Sequence, residues 1–237
     1  MFAFFDLDQT LLPYDTQALF CDHILRQHGW RRFFLATYLP ALPIAALGVA
    51  GELQLKRLFL NYLWHMPLDE LQQQVRQFVA ETVRPLLYPE IVAELKRHQA
   101  AGLTTILATA SPDIYATEIS NLLGFDHCFA TKVNLAGRSR VPFMPSLLGP
   151  NNKREAKVEA MRTLLPEARP IPGSYAYSDS HADLPLLRLA EFPIAVHPSA
   201  RLARECQLHG WPSLHPPRPY RSQFEKHWHT LRHVLGL

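Results

Sequence analysis

Cysteine is scarce in this chain of 237 residues. The three present, Cys21, Cys128 and Cys206, are widely spaced and odd in number, with no CxxC or Cys/His metal spacing. That argues against a cysteine-based zinc site, and a reducing compartment fits better than a disulfide framework. Charge is sparse as well. Charged residues make up 19% of the chain and leave a formal net charge of +3. No run of like charges is long enough to form a binding tail, so nucleic acid is not an expected partner. No internal repeat or low-complexity tract is visible. The apolar start does not read as a signal peptide, because Asp6 and Asp8 interrupt it before an h-region of useful length. The expectation is a cytoplasmic protein.

One long uncharged stretch occurs, residues 33–50. It reaches the lower bound for a membrane-spanning helix. Pro40 and Pro43 each remove an amide donor and crowd the preceding turn, which divides the stretch into two short helices. A buried helical hairpin is the leading expectation, peripheral contact with lipid the second, and a true span the last.

What is present is a globular composition, 48% hydrophobic. The chain is long enough for one large domain, or for a core carrying a smaller insert. Strand and helix signals alternate along it. Residues 2–5 are a short apolar run ending in acids, and residues 104–108 (TTILA) are apolar and β-branched. Residues 128–133, 174–177 and 192–196 read as further strands. Helices are expected at residues 89–100, 156–165 and 183–190, and Ser111-Pro112-Asp113 reads as a helix start with Ser111 as N-cap. Such alternation predicts an α/β fold, a Rossmann-like and mostly parallel sheet covered by helices on both faces. Residues 15–83 break the pattern, being helical and apolar with no strand signal. The expected organisation is a catalytic core of residues 1–14 and 84–237, with a helical cap of residues 15–83 inserted after the first strand.

Four places carry candidate chemistry. In an open α/β sheet, ligands bind beyond the carboxyl ends of the strands. Asp6 and Asp8 directly follow the first apolar run and so stand at that edge. Carboxylates at i and i+2 can divide the work of nucleophile and proton donor; a polar strand end with Asp8 capping a turn fits the same pattern. Thr109-Ala110-Ser111 follows a strand and opens a helix, where a hydroxyl and free amides suit phosphate, although ordinary capping explains these residues too. Lys157 lies just inside a helix and either reaches a phosphoryl oxygen or faces solvent. Finally, Ser178-Asp179-Ser180-His181-Ala182-Asp183 ends another apolar strand with carboxylates at i and i+4. That oxygen donor set suits Mg²⁺. His229 and His233 also share i, i+4 spacing, but no HExxH or cysteine partner supports zinc there.

Taken in order, DLDQT (residues 6–10), Thr109, Lys157 and SDSHAD (residues 178–183) resemble the four motifs of the haloacid dehalogenase superfamily. The surrounding ATASPD, EAKVEAM and SDSHADLPLL look most like its phosphoserine-phosphatase-like branch, which carries a helical cap after motif one. The resemblance covers the chain apart from the insert, and it implies a Mg²⁺-dependent phosphatase working through an aspartyl-phosphate. In that scheme Asp6 is the nucleophile and a metal ligand. Asp8 is the general acid and base and binds the metal through its main-chain carbonyl. Thr109 and the Ala110 amide hold phosphoryl oxygens, with Ser111 beside them in the substrate site. Lys157 neutralises charge, Asp179 ligates the metal, and Asp183 orients metal-bound water. Two positions depart from the pattern: Ala182 stands where Asn is frequent, and Gln9 where Gly is commoner.

The resemblance also bears on substrate. Asp15 sits where phosphoserine phosphatases carry the acidic residue that binds the substrate amine. An ungapped alignment puts Phe59 where they carry a carboxylate-binding arginine, and an apolar ring replaces a bidentate guanidinium poorly. The LPALPI segment, residues 39–44, looks like the bacterial phosphatases of this branch that act on phosphatidylglycerophosphate. The expected substrate is therefore a small phosphorylated metabolite or a lipid phosphate, the second with peripheral membrane contact through residues 33–50. A phosphotransferase or phosphomutase using the same intermediate, and a non-catalytic phosphate-binding module, are the alternatives.

Overall fold

The fold is built on the short apolar strand β1 (Phe2–Phe5), which sits at the centre of the sheet. A computed structural model describes residues 1–47 and 51–237. The other strands are β2 (Thr104–Pro112), β3 (His127–Thr131), β4 (Ile171–Ser178), β5 (Ala190–Val196) and β6 (Ser213–Leu214). They lie in the order β3-β2-β1-β4-β5-β6, and every neighbouring pair is parallel. The α/β fold and Rossmann-like parallel sheet expected from the alternation are thus present. Strand order reverses at β1, between β2 and β4, which is the position where such sheets open a ligand crevice.

Side chains alternate across β1 as a strand requires. Phe4 points into the core containing Ile106, Ala176, Met161 and Leu186. Phe5 points into the opposite core with Leu107, Tyr177, Ile91 and Ile119. The Phe5 ring stacks on Tyr177 with centroids 4.4 Å apart. Both faces are covered, so β1 is apolar until Asp6, where the strand leaves the sheet.

Between β1 and β2 the described residues form helices and no strand. They are α1 (Thr16–Gln27), α2 (Leu35–Tyr38), α3 (Ala41–Ala46), α4 (Glu52–Phe59), α5 (Leu68–Phe78), α6 (Arg84–Leu86) and α7 (Pro89–Ala100). Asp15 caps α1, its side chain accepting the Ala18 amide at 3.0 Å. Phe20, Phe34, Phe59, Tyr62 and Phe78 from this stretch join the same apolar cluster as Phe5 and Tyr177. After β2 come α8 (Asp113–Leu123), α9 (Glu155–Glu159), α10 (Leu184–Leu187), α11 (Ala200–His209) and α12 (Gln223–Leu235).

Several expectations are corrected. The uncharged run does form two short helices, with Pro40 at the N-cap of α3, but it is not a buried hairpin. Phe33, Ile44 and Leu47 are 55%, 47% and 81% exposed. Helices of one turn or a little more have too little surface to bury a wholly apolar sequence, so only part of it reaches the core. Residues 48–50 of that run lie outside the described residues. Among the described residues no helix is long and apolar enough to cross a membrane. Ser111 does not cap α8, because β2 continues to Pro112 and the helix starts one residue later. The helices expected at 156–165 and 183–190 shrink to α9 and α10, and β5 claims Ala190.

The C-terminal helix α12 contains His229 and His233, whose i, i+4 spacing was the sequence signal noted there. It packs along α1. Tyr14 Oη and His229 Nδ1 are 2.9 Å apart, and His233 Nδ1 is 3.1 Å from Asp22 Oδ2. Arg32 Nε donates to the Leu235 carbonyl at 2.9 Å. The two histidines are therefore used in separate structural contacts.

Candidate active site

Parallel register brings three loops to one edge of the sheet. Phe5 lies level with Leu107 on β2 and Tyr177 on β4, so Asp6, the Thr109-Ala110-Ser111 segment and Asp179 all emerge on the same side. The Asp6 amide donates to the Tyr177 carbonyl at 3.0 Å, the last bond before the loop departs.

Lys157 is the pivot of the cluster. Its side chain is 2% exposed, and Nζ lies 2.8 Å from Asp6 Oδ1 and 2.8 Å from Asp183 Oδ1. Burial alone would lower its pKa, but the two carboxylates overrule that and raise it. Asp183 is fixed on its other side by the Ser178 hydroxyl, which donates to Oδ2 at 2.8 Å. Asp6 Oδ2 has only a long contact, 3.5 Å, with the Thr10 hydroxyl. Thr10 Oγ1 in turn accepts the Asp179 amide at 3.1 Å.

Asp8 is held from two elements. Its Oδ1 accepts the Thr16 amide and the Thr16 hydroxyl, each at 2.7 Å, and its Oδ2 accepts the Ser111 hydroxyl at 2.7 Å. It therefore holds the first residue of α1, the helix that Asp15 caps, and also reaches toward the β2 loop. Burial pushes its pKa up to about 6, helped by the nearby Asp15 charge and opposed by the Ser111 and Thr16 hydrogen bonds. Burial raises Asp6 as well, against the opposing pull of Lys157. Asp179 is pushed up to about 8, by burial first and then by Asp6 and Asp183.

The remaining sequence-derived residues fall into place around these. Thr109 is fully buried, and its Oγ1 accepts the Ser111 amide at 3.0 Å. The Ala110 carbonyl accepts Lys56 Nζ at 2.5 Å and the Thr131 hydroxyl at 2.7 Å. Asp15 lies on the rim of a pocket of about 260 Å³, with Lys56, Tyr38, Phe59, Thr230 and Val234 also in its walls. Thr10 and Ser178 stood inside the quoted motifs without a role of their own, and Thr16 and Lys56 were given no role in the site. Hydroxyl residues beside motif acids are too common to stand out, and Lys56 becomes notable only when α4 is placed against the β2 loop.

Four carboxylates with one buried lysine leave an excess of negative charge. Among the described residues no group of three or more His, Cys, Asp and Glu side chains is arranged as a ready metal cage. Asp8 and Asp183 have their carboxylates engaged by hydroxyls or Lys157, whereas Asp6 Oδ2 has only the long Thr10 contact and the Asp179 carboxylate has no side-chain partner among the described residues. Mg²⁺ is held through one or two carboxylates, the rest of its octahedron being water and substrate. The donor set therefore fits that ion.

The chain is similar in sequence and fold to known proteins. The sequence profile of the haloacid dehalogenase-like hydrolases matches residues 3–188. A histidinol-phosphatase of Neisseria meningitidis is 28% identical over 233 residues, covering 90% of this chain and 97% of its own. A Bordetella pertussis protein of unknown function superposes with a TM-score of 0.74 at 28% identity, over 90% of this chain and 97% of that one. A phosphoserine phosphatase, solved as an analogue of its phospho-aspartyl intermediate, shares the fold at a TM-score of 0.56 and 18% identity. That match covers 86% of this chain and 90% of the other. None of these three is named for a lipid phosphate.

Proposed function

The chain belongs to the haloacid dehalogenase-like hydrolase family, and from that premise we propose that it is a phosphatase that attacks a small phosphomonoester with Asp6. The observation that carries this reading is Asp6 at the end of the central strand, paired with buried Lys157 and close to a well-fixed Asp8. Phosphoryl transfer asks mainly for positioning and charge neutralisation.

In the first step an Asp6 oxygen bonds to phosphorus and the ester P–O bond breaks. Asp8 gives its proton to the departing alkoxide, a task suited to a carboxyl whose pKa is raised. In the second step Asp8, now ionised, takes a proton from the water that attacks the aspartyl-phosphate. Inorganic phosphate leaves and Asp6 is restored. Thr109 and the Ala110 amide hold phosphoryl oxygens, and Lys157 balances charge on Asp6 and the phosphoryl group. Mg²⁺, held by the Asp6 and Asp179 carboxylates and the Asp8 main-chain carbonyl, would neutralise the phosphoryl oxygens further. We also propose residues 15–83 as a cap over this edge, with residues 1–14 and 84–237 as the catalytic core.

The pocket beside Asp15 supports an amino-alcohol phosphate without a carboxylate. Asp15 Oδ1 accepts the Ala18 amide, and its other oxygen is open to a substrate cation. No arginine stands among the described residues of the wall. Lys56 is occupied by the Ala110 carbonyl and by Asn151 Oδ1 at 2.7 Å, and Arg57 by the Met144 and Pro145 carbonyls. The name of the Neisseria relative, a histidinol-phosphatase, is consistent with such a substrate. The test is phosphate release, with Mg²⁺ and no added acceptor, from L-histidinol phosphate, O-phosphoserine and phosphatidylglycerophosphate. Histidinol phosphate should be the best of the three. No release above an Asp6→Asn control from any ester would defeat the proposal, and release that requires an acceptor would favour a phosphotransferase.

A further inference from the structure

The match to the family ends at residue 188, yet one wall of the pocket comes from beyond it. Thr230 and Val234 of α12 line the pocket that holds Asp15, together with Tyr38 and Phe59. Lys226, Thr230 and Val234 are spaced i, i+4, i+8 and so share one face of the helix. The adjacent face carries His229 and His233, which dock on Tyr14 and Asp22. The carboxyl end is held by Arg26 on the Leu237 carbonyl at 3.1 Å and Arg32 on the Leu235 carbonyl at 2.9 Å. Every one of these partners lies within the first 32 residues, on the segment that leaves the nucleophile loop.

The other end of α12 reaches that loop directly. Lys226 Nζ donates to Gln9 Oε1. Gln9 has φ of 62°, a left-handed backbone that is costly for any residue with a Cβ. Glycine would adopt it freely but would offer Lys226 no acceptor. The side chain at position 9 therefore has a use that its backbone conformation does not explain. It ties the loop containing Asp6 and Asp8 to a helix in the pocket wall.

We propose that α12 is a specificity element of the site: Thr230 and Val234 bound the leaving group, and Lys226, acting through Gln9, is a positioning residue for the nucleophile loop. The proposal rests on the phosphatase reading above. It selects a compact leaving group with a flat or apolar part, lodged between Val234 and Phe59, and an amine toward Asp15.

The test uses the full chain with Mg²⁺ and two amine-bearing esters, L-histidinol phosphate and the smaller O-phosphoethanolamine. Thr230→Trp fills the pocket, and the ratio of kcat/KM for histidinol phosphate to that for phosphoethanolamine should fall at least about tenfold, mainly through KM. A discrimination of that size corresponds to about 1.4 kcal/mol. Val234→Ala, a milder change, should lower the same ratio by a smaller factor. Equal losses on both esters, or no change in either, would mean that α12 only supports the fold and would overturn the wall. Lys226→Gln should lower kcat about tenfold on both esters with KM little changed, and Lys226→Arg should recover most of it; an unaltered kcat in Lys226→Gln overturns the positioning role. If wild-type protein cleaves neither ester, the amino-alcohol reading of the substrate fails separately. Calorimetry of histidinol phosphate with Asp6→Asn then decides the wall: binding weakened by Thr230→Trp keeps it, while equal binding or none sinks it.

Discussion

Ser111 donates its hydroxyl to Asp8 Oδ2 at 2.7 Å, across 103 residues of sequence. The bond joins the loop after β2 to the loop after β1, and it holds the proposed acid on the side facing the site. Ser111→Ala should lower kcat by roughly tenfold, since a hydrogen bond to a charged group contributes about 1.5 kcal/mol or more and Thr16 still holds the other oxygen. Ser111→Thr should recover much of the loss. Steady-state phosphate release is the measurement, and an unchanged kcat in Ser111→Ala would count against Asp8 as the acid.

Lys157 should matter to folding as well as to turnover. Removing one partner of a buried ion pair costs about 3–5 kcal/mol because a charge is left uncompensated, and here two carboxylates lose the same cation. Lys157→Met is expected to lower the urea midpoint markedly in the presence of chelator. Added Mg²⁺ should recover part of the loss by supplying positive charge near Asp6. A midpoint equal to wild type would show that the triad is not energetically coupled.

Activity should vanish with chelator and return with Mg²⁺, and Asp179→Ala should lose most of it even at high Mg²⁺. Ca²⁺ should restore little, because its larger and looser shell fits an octahedral site poorly. Full activity in chelator, with no metal found in the protein by elemental analysis, would refute the assignment.

His98 predicts a pH dependence of stability away from the site. It is buried, its Nε2 lies 2.8 Å from Tyr177 Oη, and burial lowers its pKa to about 4. The unfolded chain binds this proton near the ordinary value of about 6.5 and the folded chain only near 4, so the contribution is complete above 6.5 and is lost as pH falls through that window. Raised carboxylates elsewhere oppose the trend, so the useful quantity is a difference. Urea midpoints from pH 7.5 to 4.5 should fall more steeply in wild type than in His98→Gln. Parallel slopes would exclude His98 as a source.

The strands and the acids that follow them were legible because the two signals are local and coincide. A strand buried on both faces must be short and apolar, and the residue after it must be polar to leave the sheet; Phe2-Ala3-Phe4-Phe5-Asp6 states both in five letters. The same holds for β4 and Asp179. Boundaries were less secure where local rules conflict with register, as at Ser111, which reads as a helix cap until the pairing of β2 with β3 carries the strand on to Pro112.

By itself, then, the sequence determined the parallel α/β sheet, the edge on which the acids stand, and the order of the motifs. Tertiary structure alone decided that Lys157 is buried between Asp6 and Asp183, that Ser111 and Thr16 share Asp8, that the uncharged run lies largely exposed, and that α12 returns to wall the pocket. The reason is physical. Periodicity and capping report what a residue does within its own element, over one or two turns. A hydrogen bond or ion pair spanning 100 or more residues depends on which elements pack together, and a Lys, Ser or Thr carries no mark of its eventual partner until that packing brings the two within about 3 Å.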